Sequence, residues 1–288
     1  MHIEPDCIAC IFNQALRVTK ALELSEEESK KLLDEAACML PQFSLSLTPP
    51  QNATPMYERF AELLHTDDIY AKQKAEAIEK ARALIPYCET SIDESEKPLE
   101  TALRIAVAGN VIDLASEYAF DLEEEIQNIL HANFAIDHIR MLLEDVSKSK
   151  KIVYLADNAG ENVFDTLFIK TIKSFHPEIQ IFYFVRSKPI INDICVKDLH
   201  NDPIHRYATV VDSGVSTPGI VLEALSDDAK KLFFDADCII SKGMGNYECL
   251  SEYKESSLYY LLKVKCQVVA RSLCLEPGDL VCKNAAID

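Results

Sequence analysis

Asp157-Asn158-Ala159-Gly160-Glu161-Asn162 follows the apolar run Ile152 to Ala156, which has the length and composition of a buried parallel strand. A carboxylate and an amide leaving the carboxyl end of such a strand stand where open α/β sheets hold their ligands. Both offer hard oxygen atoms, so the pair suits half of a Mg²⁺, Mn²⁺ or similar divalent site. Three further segments carry related chemistry: Asn192-Asp193, Asp212-Ser213-Gly214 and Lys242-Gly243-Met244-Gly245-Asn246. If the strands before them run parallel, one sheet edge gathers acids, amides and a lysine. That is the mixture of a metal-dependent phosphoryl site, in which metal and lysine balance phosphate charge.

Taken singly, each segment also fits ordinary turn or capping chemistry. Lys242 emerges from Ile239-Ile240-Ser241, and Gly243 and Gly245 let backbone approach a ligand closely. Neither GxGxxG after the first strand nor GxxxxGKS/T occurs, so dinucleotide and P-loop readings fail. Thr217-Pro218 has the form of a helix start over Pro218 to Leu225, whose free N–H groups could hold phosphate oxygens or simply begin a helix. Gly109-Asn110 with Asp113 reads either as a wall of the site or as a break between two short helices. Cys7-Ile8-Ala9-Cys10 could be half a zinc site, a redox pair or packing, and no second CxxC or nearby His pair completes a four-ligand motif.

The elements that must position these residues fall into two halves. In the first, Ser25 to Glu28 forms a capping box opening a helix to about Leu40, and Pro41, Pro49 and Pro50 then interrupt the pattern. Helical spacing resumes from Pro55 to Leu84. The acidic stretch Pro86 to Pro98 reads as an exposed connection, followed by helical runs over Leu99 to Ala119, from Asp121 through Leu130, and over Phe134 to Val146. From Lys151 short β-rich runs alternate with helical segments. The expected strands are Ile152 to Ala156, Ile179 to Val185, Thr209 to Val211, Cys238 to Ser241 and Gln267 to Ala270, with helices over Val163 to Ser174, Pro218 to Leu225 and around Leu258 to Val264. This predicts an α/β fold: a Rossmann-like parallel sheet flanked by helices (residues 149–288), preceded by an all-helical amino-terminal region (1–148) with a break near 86–98.

The chain has 288 residues, 29 Lys plus Arg against 47 Asp plus Glu, and a formal charge of -18. Such a charge opposes a nucleic-acid backbone as partner, whereas a small anion remains accessible through a local cation. No apolar stretch approaches the ~20 residues of a membrane span, and the amino terminus lacks the pattern of a signal peptide, so a cytoplasmic protein is expected. Ten cysteines in that context read mostly as small buried hydrophobes.

In order along the chain, Cys7-Ile8-Ala9-Cys10, Gly109-Asn110-Val111-Ile112-Asp113, Asp157-Asn158-Ala159-Gly160-Glu161, Lys188-Pro189-Ile190-Ile191-Asn192-Asp193 and Lys242-Gly243-Met244-Gly245-Asn246-Tyr247-Glu248 resemble a known family. It was first labelled domain of unknown function 89 and is now described as metal-dependent damage-control phosphatases; the match is to its short, cysteine-bearing microbial subgroup. The resemblance implies a phosphatase acting on phosphate monoesters of small, often damaged metabolites with a divalent metal (Mg, Mn, Co or Ni). It implies Asp157, Asn158 and Asp193 as metal ligands and Lys242 as the contact to substrate phosphate, with Asn110, Asp113 and Asn246 in the pocket. Metal-activated water is the expected nucleophile, with an aspartyl-phosphate through Asp157 as the alternative, and Glu161 either orients water or caps a helix. Two rival functions are a non-catalytic sensor of phosphorylated metabolites and an S-adenosylmethionine-dependent carboxyl methyltransferase, the latter disfavoured by the missing glycine-rich loop.

Overall fold

The computed structural model describes residues 1–111 and 122–287. Helices α1 (Pro5–Ala21), α2 (Glu26–Met39), α3 (Pro49–Leu63), α4 (Ala71–Ala83), α5 (Ile85–Asp93), α6 (Pro98–Val111) and α7 (Leu122–His131) precede a short strand β1 (Ile136–Asp137) and helix α8 (Ile139–Lys148). The second half continues with β2 (Lys151–Leu155), α9 (Glu161–Phe175), β3 (Gln180–Val185), β4 (Thr209–Asp212), α10 (Asp227–Phe234), β5 (Cys238–Lys242), α11 (Gly243–Leu250), β6 (Leu258–Lys263), α12 (Gln267–Leu273) and β7 (Leu280–Asn284).

Local signals account for several boundaries. The Ser25 hydroxyl accepts from the Glu28 N–H, and the Glu28 carboxylate accepts from the Ser25 N–H at 3.0 Å, closing the expected box. A second box, Thr48 with Gln51, opens α3 with Pro49 and Pro50 in its first turn. Proline lacks an N–H that this turn would leave unpaired anyway, so the two prolines start a helix where an interruption was expected.

The strands form one sheet of order β1-β7-β6-β5-β2-β3-β4. Strands β2 to β6 run parallel, while β7 is antiparallel to β6 and parallel to β1. The mostly parallel α/β sheet with a helical amino-terminal region agrees with the sequence, apart from the short β1. Alternation along β2 sorts its residues to two faces. Ile152 and Tyr154 pack with Leu103, Phe164 and Phe168 of α6 and α9, whereas Val153 and Leu155 pack with Phe233, Tyr247 and Val269 of α10, α11 and α12. A third cluster joins Ile11, Val18, Met56 and Phe60 of α1 and α3 to Ile190 and Val268, seating the first helices at the edge where β3 and β6 exit.

Several expectations are corrected. Gln267 to Ala270 is helix α12 rather than a strand, and Leu258 to Val264 is strand β6 rather than a helix. Both are short apolar runs whose period does not separate the two conformations. Helical spacing over Pro55 to Leu84 resolves into α3 and α4. The acidic Pro86 to Pro98 stretch is largely helix α5, because Cys88 and Ile92 lie one turn apart and bury against the first core. No helix begins at Pro218; only a short 3₁₀ turn, Leu222–Ala224, lies in that segment, and the Thr217 hydroxyl donates to the Gly219 carbonyl at 2.6 Å.

Gly109 does not break α6. A Cβ there would meet Phe164 Cδ2 of α9 at 2.9 Å, so glycine lets the two helices approach closely. Asn110 continues the α6 backbone, while Asp113 lies outside the described residues. Among the described residues no helix is long and apolar enough to cross a membrane.

Candidate active site

Strands β2 to β5 exit at one edge, so the polar segments meet there as the topology requires. The loop after β3 is laced to the loop after β2 by backbone bonds: Ile194 N–H donates to the Asp157 carbonyl at 2.9 Å and Ala159 N–H to the Asn192 carbonyl at 2.8 Å. An antiparallel bridge pairs Asn158 with Asp193. Residues 35 positions apart in sequence, Asn158 and Asp193 (193 − 158), are thereby fixed side by side.

The side chains around this bridge are held tightly. Asn158 Nδ2 donates to Asp157 Oδ2 and to Glu161 Oε1, each at 2.9 Å. Arg186 Nε donates to Asp193 Oδ2 at 2.7 Å, and Arg186 Nη2 to Asn246 Oδ1 at 3.1 Å. Asn246 also accepts from Ile220 N–H at 2.9 Å and donates to the carbonyls of Ala156 (3.0 Å) and Lys242 (2.7 Å). Its amide is fully used in tying β2, α11 and the Ile220 loop together. Asn246 is therefore a buried positioning residue and does not line the cavity.

Behind Asp193 a further ion cluster anchors the loop. Lys74 of α4, itself buried, reaches Asp198 at 2.6 Å and Asp68 at 3.1 Å, and the Cys195 thiol donates to Asp198 at 2.9 Å. This ties the segment just past Asp193 to the first helices.

Burial and charge crowding shape the acids. Burial, followed by the nearby charges of Glu161 and Asp193, pushes the Asp157 carboxyl well above the usual carboxylate range, with Lys265 and Arg186 opposing. Asp193 is also raised by burial, with Arg186 opposing. An all-oxygen donor set of Asp157, Asp193 and the Asn158 carbonyl, crowded with negative charge, fits a hard divalent cation. Among the described residues no three His, Cys, Asp or Glu side chains converge on one point; two carboxylates and an amide make up this set.

Lys242, the expected phosphate contact, is not among the residues lining the cavity over Asp157 and Asp193. It is completely buried, with Nζ 2.7 Å from Asp165 Oδ1 and 3.0 Å from Glu161 Oε2. Burial works against its charge, yet Asp165 and Glu161 outweigh it and hold the ammonium above its ordinary pKa. Asp165 in turn accepts the hydroxyls of Tyr154 (2.6 Å) and Tyr183 (2.8 Å).

A cavity of about 340 Å³ opens over Asp157, Asn158, Asn192 and Asp193. Its opposite wall comes from α1 and α3, with Cys7, Cys10, Pro49 and Pro50, and from Cys266. Burial raises the pKa of the Cys7 and Cys10 thiols, Arg17 opposing at Cys10, which keeps them protonated and poorly nucleophilic at neutral pH. The CxxC, without a place in the sequence-based scheme, is thus part of the cavity wall. Lys265, just past β6, is the only basic side chain among the described residues lining this cavity, and its charge draws the Asp157 carboxyl downward. It went unnoticed in the sequence because the β6 run was read as a helix; a strand there would have placed Lys265 at the same sheet edge.

Gly243 makes the close packing possible. Its φ is +77°, and a Cβ would lie 1.9 Å from Asp157 Oδ2. Gly243→Ala therefore displaces the Asp157 carboxylate as well as straining the backbone. The expected cost is about 1–3 kcal/mol in stability, with divalent-metal affinity reduced at least about tenfold; denaturant unfolding and metal titration calorimetry measure the two.

The cavity of about 340 Å³ thus lies over two carboxylates and an amide at the carboxyl edge of a mostly parallel sheet, the setting of an α/β phosphatase. The chain belongs to the damage-control phosphatase ARMT1-like domain family, whose model matches residues 3–281. It is 30% identical over 284 residues to the damage-control phosphatase PH1575 of Pyrococcus horikoshii, covering 98% of each chain. A damage-control phosphatase of Archaeoglobus fulgidus is 32% identical over 289 residues, covering 98% of this chain and 99% of the other. The crystal structure of a DUF89 family protein from Pyrococcus horikoshii superimposes with a TM-score of 0.91 at 30% identity over 99% of both chains.

Proposed function

We propose that the chain is a divalent-metal-dependent phosphatase hydrolysing phosphate monoesters of small metabolites in the cytoplasm, where its ten free thiols suit a reducing compartment. The observation that carries this reading is the convergence of Asp157, Asn158, Asp193 and Lys265 on one cavity. Asp157, Asp193 and the Asn158 carbonyl would hold the metal, Mg²⁺ or Mn²⁺ by donor hardness with Co²⁺ and Ni²⁺ as further candidates. Bound there, the ion supplies charge neutralisation at the phosphoryl group and a water of lowered pKa as nucleophile.

The chain's own residues do the rest. Lys265 pairs with phosphate oxygens that gain charge as the ester bond breaks. Arg186 fixes the Asp193 carboxylate through its Nε hydrogen bond. Lys242, expected from sequence to touch the phosphate, instead holds Glu161 and Asp165 in register beneath the site. Glu161 in turn orients Asn158 through the amide hydrogen bond. The apolar wall of α1 and α3 narrows solvent access to the reacting group.

The test is turnover of a panel of phosphometabolites and aromatic phosphate esters with each of Mg²⁺, Mn²⁺, Co²⁺ and Ni²⁺, and after chelation. Metal-dependent release of phosphate is expected, and no release with any metal refutes the reading. In the same assay Lys265→Ala is expected to lower kcat/KM by about 10²-fold, the scale of losing one charge-stabilising donor, with the unfolding midpoint unmoved because the side chain is exposed. Retention of kcat/KM in that variant would place the phosphate contact elsewhere.

A further inference from the structure

The cavity wall holds two acids that the metal and phosphate chemistry leaves unused, Glu248 and Asp6, and of these Asp6 is paired with Arg271. Glu248 lies on α11 and lines the same cavity as Asp157, Asp193 and Lys265. Its backbone carbonyl accepts the amino-terminal ammonium of Met1 at 2.7 Å, which fixes the position of the residue. Its carboxyl makes no hydrogen bond or ion pair within 4 Å among the described residues; burial raises its pKa to about 7, with the Met1 ammonium the nearby charge that opposes the rise. It sits beside the thiols of Cys7 and Cys10, whose acidities its charge perturbs. A half-buried carboxyl facing a ligand cavity next to an apolar wall, without a partner from the protein, has its acceptor capacity open to whatever occupies the cavity.

Charge balance in the cavity narrows what that occupant is. A divalent cation offsets Asp157 and Asp193, and Lys265 is left to meet one phosphate. On the remaining wall stand Glu248 and, at the rim, Asp6, the latter 3.5 Å from Arg271. A second phosphate on the substrate would face these carboxylates, and a purely apolar group would leave Glu248 desolvated and unpaired.

We propose that Glu248 is the specificity residue for the alcohol half of the ester: its carboxylate accepts a hydrogen bond from a hydroxyl or ammonium group of the substrate. The cavity then selects monophosphates of small alcohols carrying such a donor, and rejects apolar and doubly phosphorylated esters. The assignment rests on the phosphatase reading above and adds the substrate class to it. The buried Cys7, Ile11 and Pro50 of the wall lower the local dielectric and strengthen the bond relative to water.

Three esters of nearly equal size test this: ethyl phosphate, 2-hydroxyethyl phosphate and 2-aminoethyl phosphate, each assayed with the full chain in Mn²⁺. The wild type is expected to favour a donor-bearing ester over ethyl phosphate by at least about tenfold in kcat/KM, since a site built to bond a substrate donor discriminates against its absence. In Glu248→Leu the ratio falls to about one. Glu248→Gln separates the two sources of the donor: it erases a preference for the ammonium ester and retains part of a preference for the hydroxyl ester. Equal wild-type kcat/KM on all three esters overturns the assignment without any variant, as does a ratio that survives in Glu248→Leu. Absence of turnover of every ester with every metal overturns the phosphatase reading itself and the assignment with it.

Discussion

Asp157→Asn is expected to remove metal-dependent turnover by about 10³-fold or more, the scale of losing a metal-centred transition-state interaction, while making the metal-free protein more stable. The two effects have one cause. Burial and the adjacent charges of Glu161 and Asp193 raise the Asp157 carboxyl well above its ordinary pKa in the folded chain. A carboxyl whose folded pKa exceeds its unfolded value opposes folding once ionised. That penalty is absent below the unfolded value of roughly 3.9, grows as pH rises toward the folded pKa, and is fully present above it. The neutral amide carries no such penalty. Calorimetry in chelator should therefore show a higher Tm for Asp157→Asn at pH 7, on the order of 2–4 °C for each kcal/mol relieved, and no gain near pH 3. Added divalent metal should raise the Tm of the wild type through binding to the native state and leave the variant nearly unmoved. An Asp157→Asn protein less stable than the wild type in chelator at pH 7 would show that the carboxylate is a structural element instead.

Lys242→Met is expected to cost about 3–5 kcal/mol in folding free energy, the usual price of removing one partner from a buried ion cluster. Methionine matches the aliphatic stem, so the loss is mostly electrostatic. Glu161 and Asp165 are then left facing each other without the ammonium that now sits 3.0 and 2.7 Å from them. Adding Asp165→Asn to Lys242→Met should restore part of the stability, because it removes one of the two stranded charges. Denaturant unfolding of the single and double variants measures this coupling. A lysine whose task was to touch phosphate would behave otherwise: its loss would raise KM and lower kcat while the unfolding midpoint stayed put.

The parts of this protein that were legible in the sequence are those fixed by local chemistry. The capping box at Ser25 needs only residues three apart, and the strands β2 to β5 announce themselves as short β-branched and aromatic runs bounded by polar exits. The Asp157-Asn158 and Asn192-Asp193 exits were legible for the same reason, since polar residues at the end of a buried strand have few other places to go. Where a run was apolar throughout, as in Leu258 to Lys263, no alternation reported its period, and a strand was read as a helix. The acidic α5 segment misled in the opposite sense. Its charges face solvent, while Cys88 and Ile92, one turn apart, face the core.

Lys242 and Lys265 show where local reasoning ends. By itself the sequence determined that a parallel sheet edge would collect acids, amides and a lysine. Only the tertiary structure gives the two lysines their different surroundings: Lys242 is enclosed by Glu161 and Asp165 of α9, whereas Lys265 lines the cavity with Asp157 and Asp193. It likewise turned the Cys7 and Cys10 pair into a cavity wall opposite residues about 150 positions away in the chain, and left Glu248 facing the same space. A side chain's type fixes the chemistry it can perform, but its partners are set by the packing of distant helices, and those partners decide whether a charge is spent inside the fold or offered to a ligand.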